Sequence, residues 1–145
     1  MEDVAALLTK LGATDFDPMR VEARGIEVLA EIGGSIETHH NPRELFPAVF
    51  EFLERLDSCD LGTPGPLVHA LEAVGGYNTE LVASLIRKPT PLTVLMLNRI
   101  LNAPSSAERR SKHLKLLARS ATHPLASPQT RSEAARLLSH QHGRG

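Results

Sequence analysis

Aromatic side chains are scarce in this chain: 3% of residues, with four phenylalanines, one tyrosine and no tryptophan. A core built with so few rings must be filled by Leu, Ile, Val and Ala. That suits helix packing better than a β-sandwich, whose strands favour aromatic and β-branched residues. The same scarcity leaves few rings on which bases can stack, which weighs against single-strand nucleic-acid binding. Cysteine is nearly absent as well. Cys59 stands alone, which excludes an intrachain disulfide and a thiolate cluster for zinc, and fits a reducing cytoplasm. No apolar run reaches transmembrane length, so no membrane partner is expected. The opening MEDVAALLTKLGA carries acids where a signal peptide carries a basic n-region, so no such leader is expected.

Catalytic signatures are missing too. There is no GxSxG and no Cys–His pattern for nucleophilic catalysis, and no HEXXH. Gly33-Gly34 and Gly75-Gly76 lack the spacing of GxGxxG and the lysine of a P-loop, and read as turn glycines. Cys59 follows a helix end rather than a helix start, away from the dipole that lowers a thiol pKa. His39-His40, with Glu37 close by, is the most visible pair of metal-ligand types. No third ligand can be placed beside it, and an exposed polar loop is the plainer reading. His140 and His142 read as solvated. The expectation is a protein without catalytic residues, metal or cofactor.

What is present is helical punctuation in a chain of 145 residues, 41% of them hydrophobic, the size of one domain. The stretch Thr90–Asn102, TPLTVLMLNRILN, has a capping threonine, a first-turn proline whose missing N–H would be unpaired anyway, and apolar residues around most of its circumference. Such a helix is buried among others, and it is expected to be the one against which the rest packs. Glu2–Leu11 reads as a short amphipathic helix. Asp17-Pro18 is expected to open a second, running to about Ile32 and stopped by Gly33-Gly34, with Met19, Ile26, Leu29, Ala30 and Ile32 as its apolar residues. Gly25 within it suggests the close approach of a neighbour. Asn41-Pro42, with Glu44 at the capping-box position, is expected to open a third, carrying Leu45, Phe46, Val49, Phe50, Phe52, Leu53 and Leu56 inward. Thr63-Pro64 and Asn78 open the next two. Ser105-x-x-Glu108 has the capping-box spacing for a basic seventh helix, with Leu114, Leu117, Ala118 and Ala121 inward. Ser127-Pro128, or Thr130-x-x-Glu133, opens an eighth, and residues 140–145 are expected to fray.

Short helices joined by short turns pack against their neighbours, and pairs of this length approximate the roughly 40-residue period of HEAT-like units. The expected fold is therefore all-α: about eight short helices in antiparallel pairs, as a HEAT-like αα-solenoid over residues 1–145, with a compact irregular bundle as the alternative.

Charge is unevenly spread although the net is −1. Residues 1–62 hold 13 acids and 5 bases, net −8, and residues 63–145 hold 4 acids and 11 bases, net +7. Uneven charge of this kind either solvates or meets an oppositely charged partner. The acidic strip Glu51, Glu54, Asp57 and Asp60 is the candidate partner-binding surface. The basic seventh helix, with Arg109, Arg110, Lys112, Lys115 and Arg119, can touch phosphates, but the acidic half would repel DNA.

Leu61–Asn102, through Gly62-Thr63-Pro64-Gly65-Pro66-Leu67-Val68-His69, the Arg87-Lys88-Pro89-Thr90-Pro91 turn and Met96-Leu97-Asn98-Arg99-Ile100-Leu101-Asn102, resembles the middle of small α-helical immunity proteins of bacterial polymorphic-toxin and contact-dependent inhibition systems. The resemblance implies a non-enzymatic, cytoplasmic protein that binds and neutralises a cognate protein toxin, such as a basic nuclease domain. It transfers no toxin-facing residue. The other readings are a HEAT-like protein adaptor and a nucleic-acid-binding helical repeat.

Overall fold

The computed structural model describes residues 3–144, and among them the fold is all-α, with eight α-helices and no strand. The helices are α1 (Val4–Lys10), α2 (Gly25–Thr38), α3 (Phe46–Arg55), α4 (Gly65–Val74), α5 (Asn78–Arg87), α6 (Pro91–Asn102), α7 (Ala107–Ser120) and α8 (Pro128–Gly143). Single 3-10 turns at Ala13–Phe16 and Pro42–Leu45 precede α2 and α3. The chain forms two compact units, Met1–Glu80 and Leu81–Gly145, divided within α5.

In the first unit α2 packs on α4, and α1 packs on α2 and α3. In the second, α6, α7 and α8 contact one another. Helices thus meet both successive and next-but-one neighbours, the pairwise packing of an all-α fold. The first core is Leu29, Ile32, Ile36, Phe46, Val49, Phe50, Leu53, Val68 and Leu71, all at most 1% exposed. The second is centred on α6, where Val94, Met96 and Leu97 are fully buried and Leu92 and Leu101 nearly so.

The expected caps hold at Thr90-Pro91 and Ser127-Pro128, whereas at Thr63-Pro64 no side chain caps the helix, which starts at Gly65. The Thr90 hydroxyl accepts from the Thr93 N–H at 3.2 Å, and the Thr93 hydroxyl accepts from the Thr90 N–H at 2.9 Å. Both hydroxyls are buried by this exchange, which satisfies two donors at the start of α6. Ser127 caps α8 in the same way, accepting from the Thr130 N–H at 3.1 Å.

Elsewhere the boundaries move. Asp17-Pro18 does not open a helix. The Asp17 carboxylate accepts from the Met19 N–H at 2.9 Å, an Asx turn that competes with the helix. Met19 and Val21, 87% and 100% exposed, offer no buried face to drive one. The helix starts at Gly25 instead and passes through Gly33-Gly34 to Thr38. Gly25 answers to a close approach: a Cβ there would lie 2.4 Å from the Phe16 ring and 2.5 Å from the Asp15 carbonyl oxygen. Gly33 faces the Pro66 carbonyl of α4 in the same manner, at 3.2 Å. Of the apolar residues assigned inward here, Leu29 and Ile32 are buried, while Ile26 and Ala30 are exposed.

The third helix begins at Phe46 rather than Pro42, with no Asn41 side-chain cap and no role for Glu44 in one. Pro47 lacks the N–H that would bond back across this turn, so 42–45 closes as a 3-10 turn. For α7 the cap is Ser106, whose hydroxyl accepts from the Arg109 N–H at 3.1 Å, one residue later than the Ser105 spacing suggests. Its buried residues are accordingly His113, Leu117 and Ser120, while Ala118 is exposed.

Residues 140–144, expected to fray, are helical through Gly143, with Gly145 outside the described residues. The cause is Gln141, fully buried, whose Nε2 donates to Asn98 Oδ1 at 2.7 Å and Asn102 Oδ1 at 2.8 Å. Arg110 adds bonds to Gln141 Oε1 at 3.2 Å, to its carbonyl at 3.0 Å and to the Leu101 carbonyl at 3.1 Å. Asn98, the polar interruption of α6, thus finds the partner that a buried amide requires.

Candidate functional site

The acidic strip is built on α3. This helix turns Phe46, Val49, Phe50, Phe52 and Leu53 into the core, leaving Glu51 and Arg55 exposed and Glu54 half-buried. Arg55, the cation within the strip, is held towards α1. Its guanidinium donates to the Leu8 carbonyl at 2.9 Å and stands 5.5 Å from the centre of the Phe52 ring. Phe52 in turn meets Phe16 edge-on at 6.2 Å. The strip then leaves the helix: Asp57 and Asp60 follow its end, half-buried and exposed respectively.

Asp60 has a local structural task. Its carboxylate accepts from the Gly62 N–H at 3.0 Å. Gly62 has φ +102°, and a Cβ on it would lie 2.4 Å from the Gly65 Cα, so the turn admits only glycine. Asp57 acts on its neighbour Cys59: burial first, and the Asp57 charge second, push that thiol up from its ordinary value. A thiol held protonated is a poor nucleophile. The four carboxylates, interrupted by Arg55, run in sequence from α3 into the following turn. Exposed Glu27, Glu31, Glu37 and Glu44 lie elsewhere in the same unit.

The two compact units divide the charge more sharply than the halves read from sequence. Residues 1–80 hold 15 acids and 5 bases, net −10, and residues 81–145 hold 2 acids and 11 bases, net +9.

The histidine pair is a stacked loop feature. The rings of His39 and His40 are 4.5 Å apart at 25°, and His39 Nδ1 accepts the Asn41 N–H at 2.9 Å. Among the described residues, no group of three or more His, Cys, Asp or Glu is placed to hold a metal. His140 and His142 are exposed on the last turns of α8.

A second surface lies on the basic seventh helix, where the sequence marks the charge but not the hollow beside it. Along α7, Ala107, Ser111 and Ala118 leave a shallow, open trough against α8, about 350 Å³ in volume, lined also by Leu114 and Leu138. Arg110, Lys115 and His142 stand around it. The only hint in the sequence is that small residues recur on one side of a basic helix; nothing in it locates the α8 wall. No helix among the described residues is long and apolar enough to cross a membrane.

Comparison with protein-family models, with curated proteins and with solved structures finds no match to this chain.

Proposed function

We propose that this protein is a non-enzymatic immunity protein, acting in the cytoplasm of the producing cell, that binds and neutralises a cognate protein toxin with a basic surface. The observation that carries the reading is the acidic first unit, net −10, with Glu51, Glu54, Asp57 and Asp60 running from α3 into the next turn. Charge of one sign steers an oppositely charged partner and speeds encounter, most strongly at low salt. A basic nuclease domain has the complementary chemistry. The resemblance of Leu61–Asn102 to helical immunity proteins points the same way. So does the local architecture, since α3 carries Glu51 and Glu54 and the Gly62 turn fixes Asp60, which lowers the ordering cost of binding.

The test is capture from the source cell's lysate followed by mass spectrometry, then co-expression of the recovered protein with and without this chain. The expected result is a stoichiometric, toxic partner encoded beside this gene, whose toxicity this chain suppresses. Replacing Glu51 and Glu54 by Gln, and Asp57 and Asp60 by Asn, should weaken that complex about tenfold or more, about 1.4 kcal/mol, and flatten its salt dependence. An unchanged complex removes the strip from the interface. Recovery of nucleic acid or of a housekeeping assembly overturns the toxin reading.

A helical adaptor for a partner other than a toxin is the second reading. The basic α7 face and its trough favour it, because they offer a surface that an acidic strip for a basic toxin does not use.

A further inference from the structure

The geometry points to the α7–α8 trough as a docking site for an acidic amphipathic helix of a partner protein, seated by an apolar side chain on Leu114 and Leu138 and held by carboxylates at Arg110 and Lys115. This inference is independent of the toxin reading and uses a different unit of the chain.

Three observations converge on that occupant. The trough is shallow and open to solvent, and its lining is largely apolar: Leu114 and Leu138 are only half-buried, and Ala118 is exposed with them. About 350 Å³ lies at the small end of binding sites, roughly 300–1,000 Å³, and suits anchoring side chains rather than a large cofactor. The surround is cationic. Arg110 is fixed by the Leu101 carbonyl and by the side chain and carbonyl of Gln141, none of them an acid, so its charge is oriented but not neutralised. Lys115 has no acidic partner among the described residues, whereas Lys112, one turn away, already faces Glu108 at 3.5 Å. Finally, the unit that holds the trough carries net +9. Charge complementarity therefore selects an acidic occupant, and the apolar lining selects one with hydrophobic anchors. A helix laid in a groove supplies both, with anchors at three- and four-residue spacing and acids alongside.

Other anionic occupants fit less well. No aromatic ring lines the trough to stack a base. A membrane surface is held by a broad apolar face rich in Trp, Phe and Leu, and the trough offers two half-buried leucines.

The test uses the full chain and a fluorescein-labelled helical peptide of about 16 residues, with Leu at i, i+4 and i+7 and Glu on both flanks. A second peptide carries Lys for each Glu. Fluorescence anisotropy at low salt should show binding of the acidic peptide and not of the basic one. Raising the salt should weaken it, because exposed charges are screened. Lys115→Glu should weaken it at least tenfold, and Ala118→Trp, which fills the trough from an exposed position, should do the same. Both variants should unfold thermally like the parent, which separates loss of the site from loss of the fold. Equal binding of the two peptides overturns the proposal, as does parental affinity in both variants. Anionic phosphatidylserine vesicles, or self-association followed by sedimentation, overturn it if Ala118→Trp abolishes either one while the peptide stays unbound; the trough then belongs to a lipid surface or to a second copy.

Discussion

His113 sits in α7, 6% exposed, and its Nδ1 has no hydrogen-bond partner. A buried polar atom left unpaired costs about 1–3 kcal/mol. Burial, and then the nearby Arg109 charge, lower the His113 pKa from its ordinary value. The unfolded chain therefore takes up a proton near pH 6.5 that the folded chain resists. The His113 contribution is whole above that pH and shrinks as the pH falls through it, because the unfolded state then binds more protons. His113→Leu should be as stable as the parent or more stable at pH 7.5, and its advantage should widen at pH 5.5. Urea unfolding of the pair at both values measures this; a constant difference would show that His113 is not the source of acid sensitivity.

Two glycines of α2 should respond in opposite directions. Gly25→Ala pushes a methyl group into the Phe16 ring and the Asp15 backbone. The gain in helix propensity, about 1 kcal/mol, cannot offset overpacking of about 1–3 kcal/mol against main chain. At Gly34 an added Cβ meets nothing within 4 Å, so Gly34→Ala should stabilise by about 0.5–1 kcal/mol. Thermal unfolding of both variants decides between this account and one in which the α2 glycines are mere helix breakers. Sequence alone placed Gly33-Gly34 as a stop because two glycines commonly end a helix; here the packing of Leu29, Ile32 and Ile36 carries the helix through them.

At the scale of elements, the last turns of α8 are held by polar bonds rather than by apolar burial. Gln141 links α8 to Asn98 and Asn102 of α6, and Arg110 of α7 closes on the same residue. Gln141→Leu removes the bonding groups of that side chain and leaves Asn98 without its partner. The expected loss is about 2–3 kcal/mol, about 5–10 °C in Tm for a chain of this size. A silent substitution would mean that the helix end frays. The fraying expected from HQHGRG was reasonable by composition, since a glutamine among histidines and glycines carries no apolar signal; its meaning lies in the facing amides of α6, 39 and 43 positions away.

The same contrast separates the helix starts that could be read from those that could not. Thr90-Pro91 and Ser127-Pro128 each precede a segment with an apolar stripe, so cap and burial agree. Asp17-Pro18 precedes Met19, Arg20, Val21 and Glu22, all exposed, and the same dipeptide closes a turn. Asn41-Pro42 was masked by Pro47, whose missing donor moves the helix start to Phe46. Local chemistry thus announced that something begins, and long-range burial decided what. The acidic strip was legible as a run of carboxylates. That Asp60 is partly committed to the Gly62 turn was not, because the turn depends on a backbone angle. The trough was illegible because its lining comes from two helices, with Leu114 and Leu138 24 positions apart.

For the whole molecule, a net charge of −1 and a pI near 6.7 describe neither compact unit. The first carries −10 and the second +9, so two strongly and oppositely charged units sum to a nearly neutral chain. Near-zero net charge removes the long-range repulsion that keeps proteins apart, and opposite regions on different copies attract. That attraction is electrostatic and acts over about 10 Å at 0.1 M salt and about 30 Å at 0.01 M. The protein should therefore associate at low ionic strength near pH 6.7 and disperse as salt rises, the reverse of hydrophobic association, which salts such as sulfate strengthen. Neutralising Glu51, Glu54, Asp57 and Asp60 moves the net charge from −1 to +3, which both restores repulsion and weakens one attracting surface. Light scattering across a salt series should show the parent's low-salt association greatly reduced in that variant. Association that persists in high salt, or that the variant leaves unchanged, would place the contact on apolar groups and take the charge division out of the protein's self-recognition.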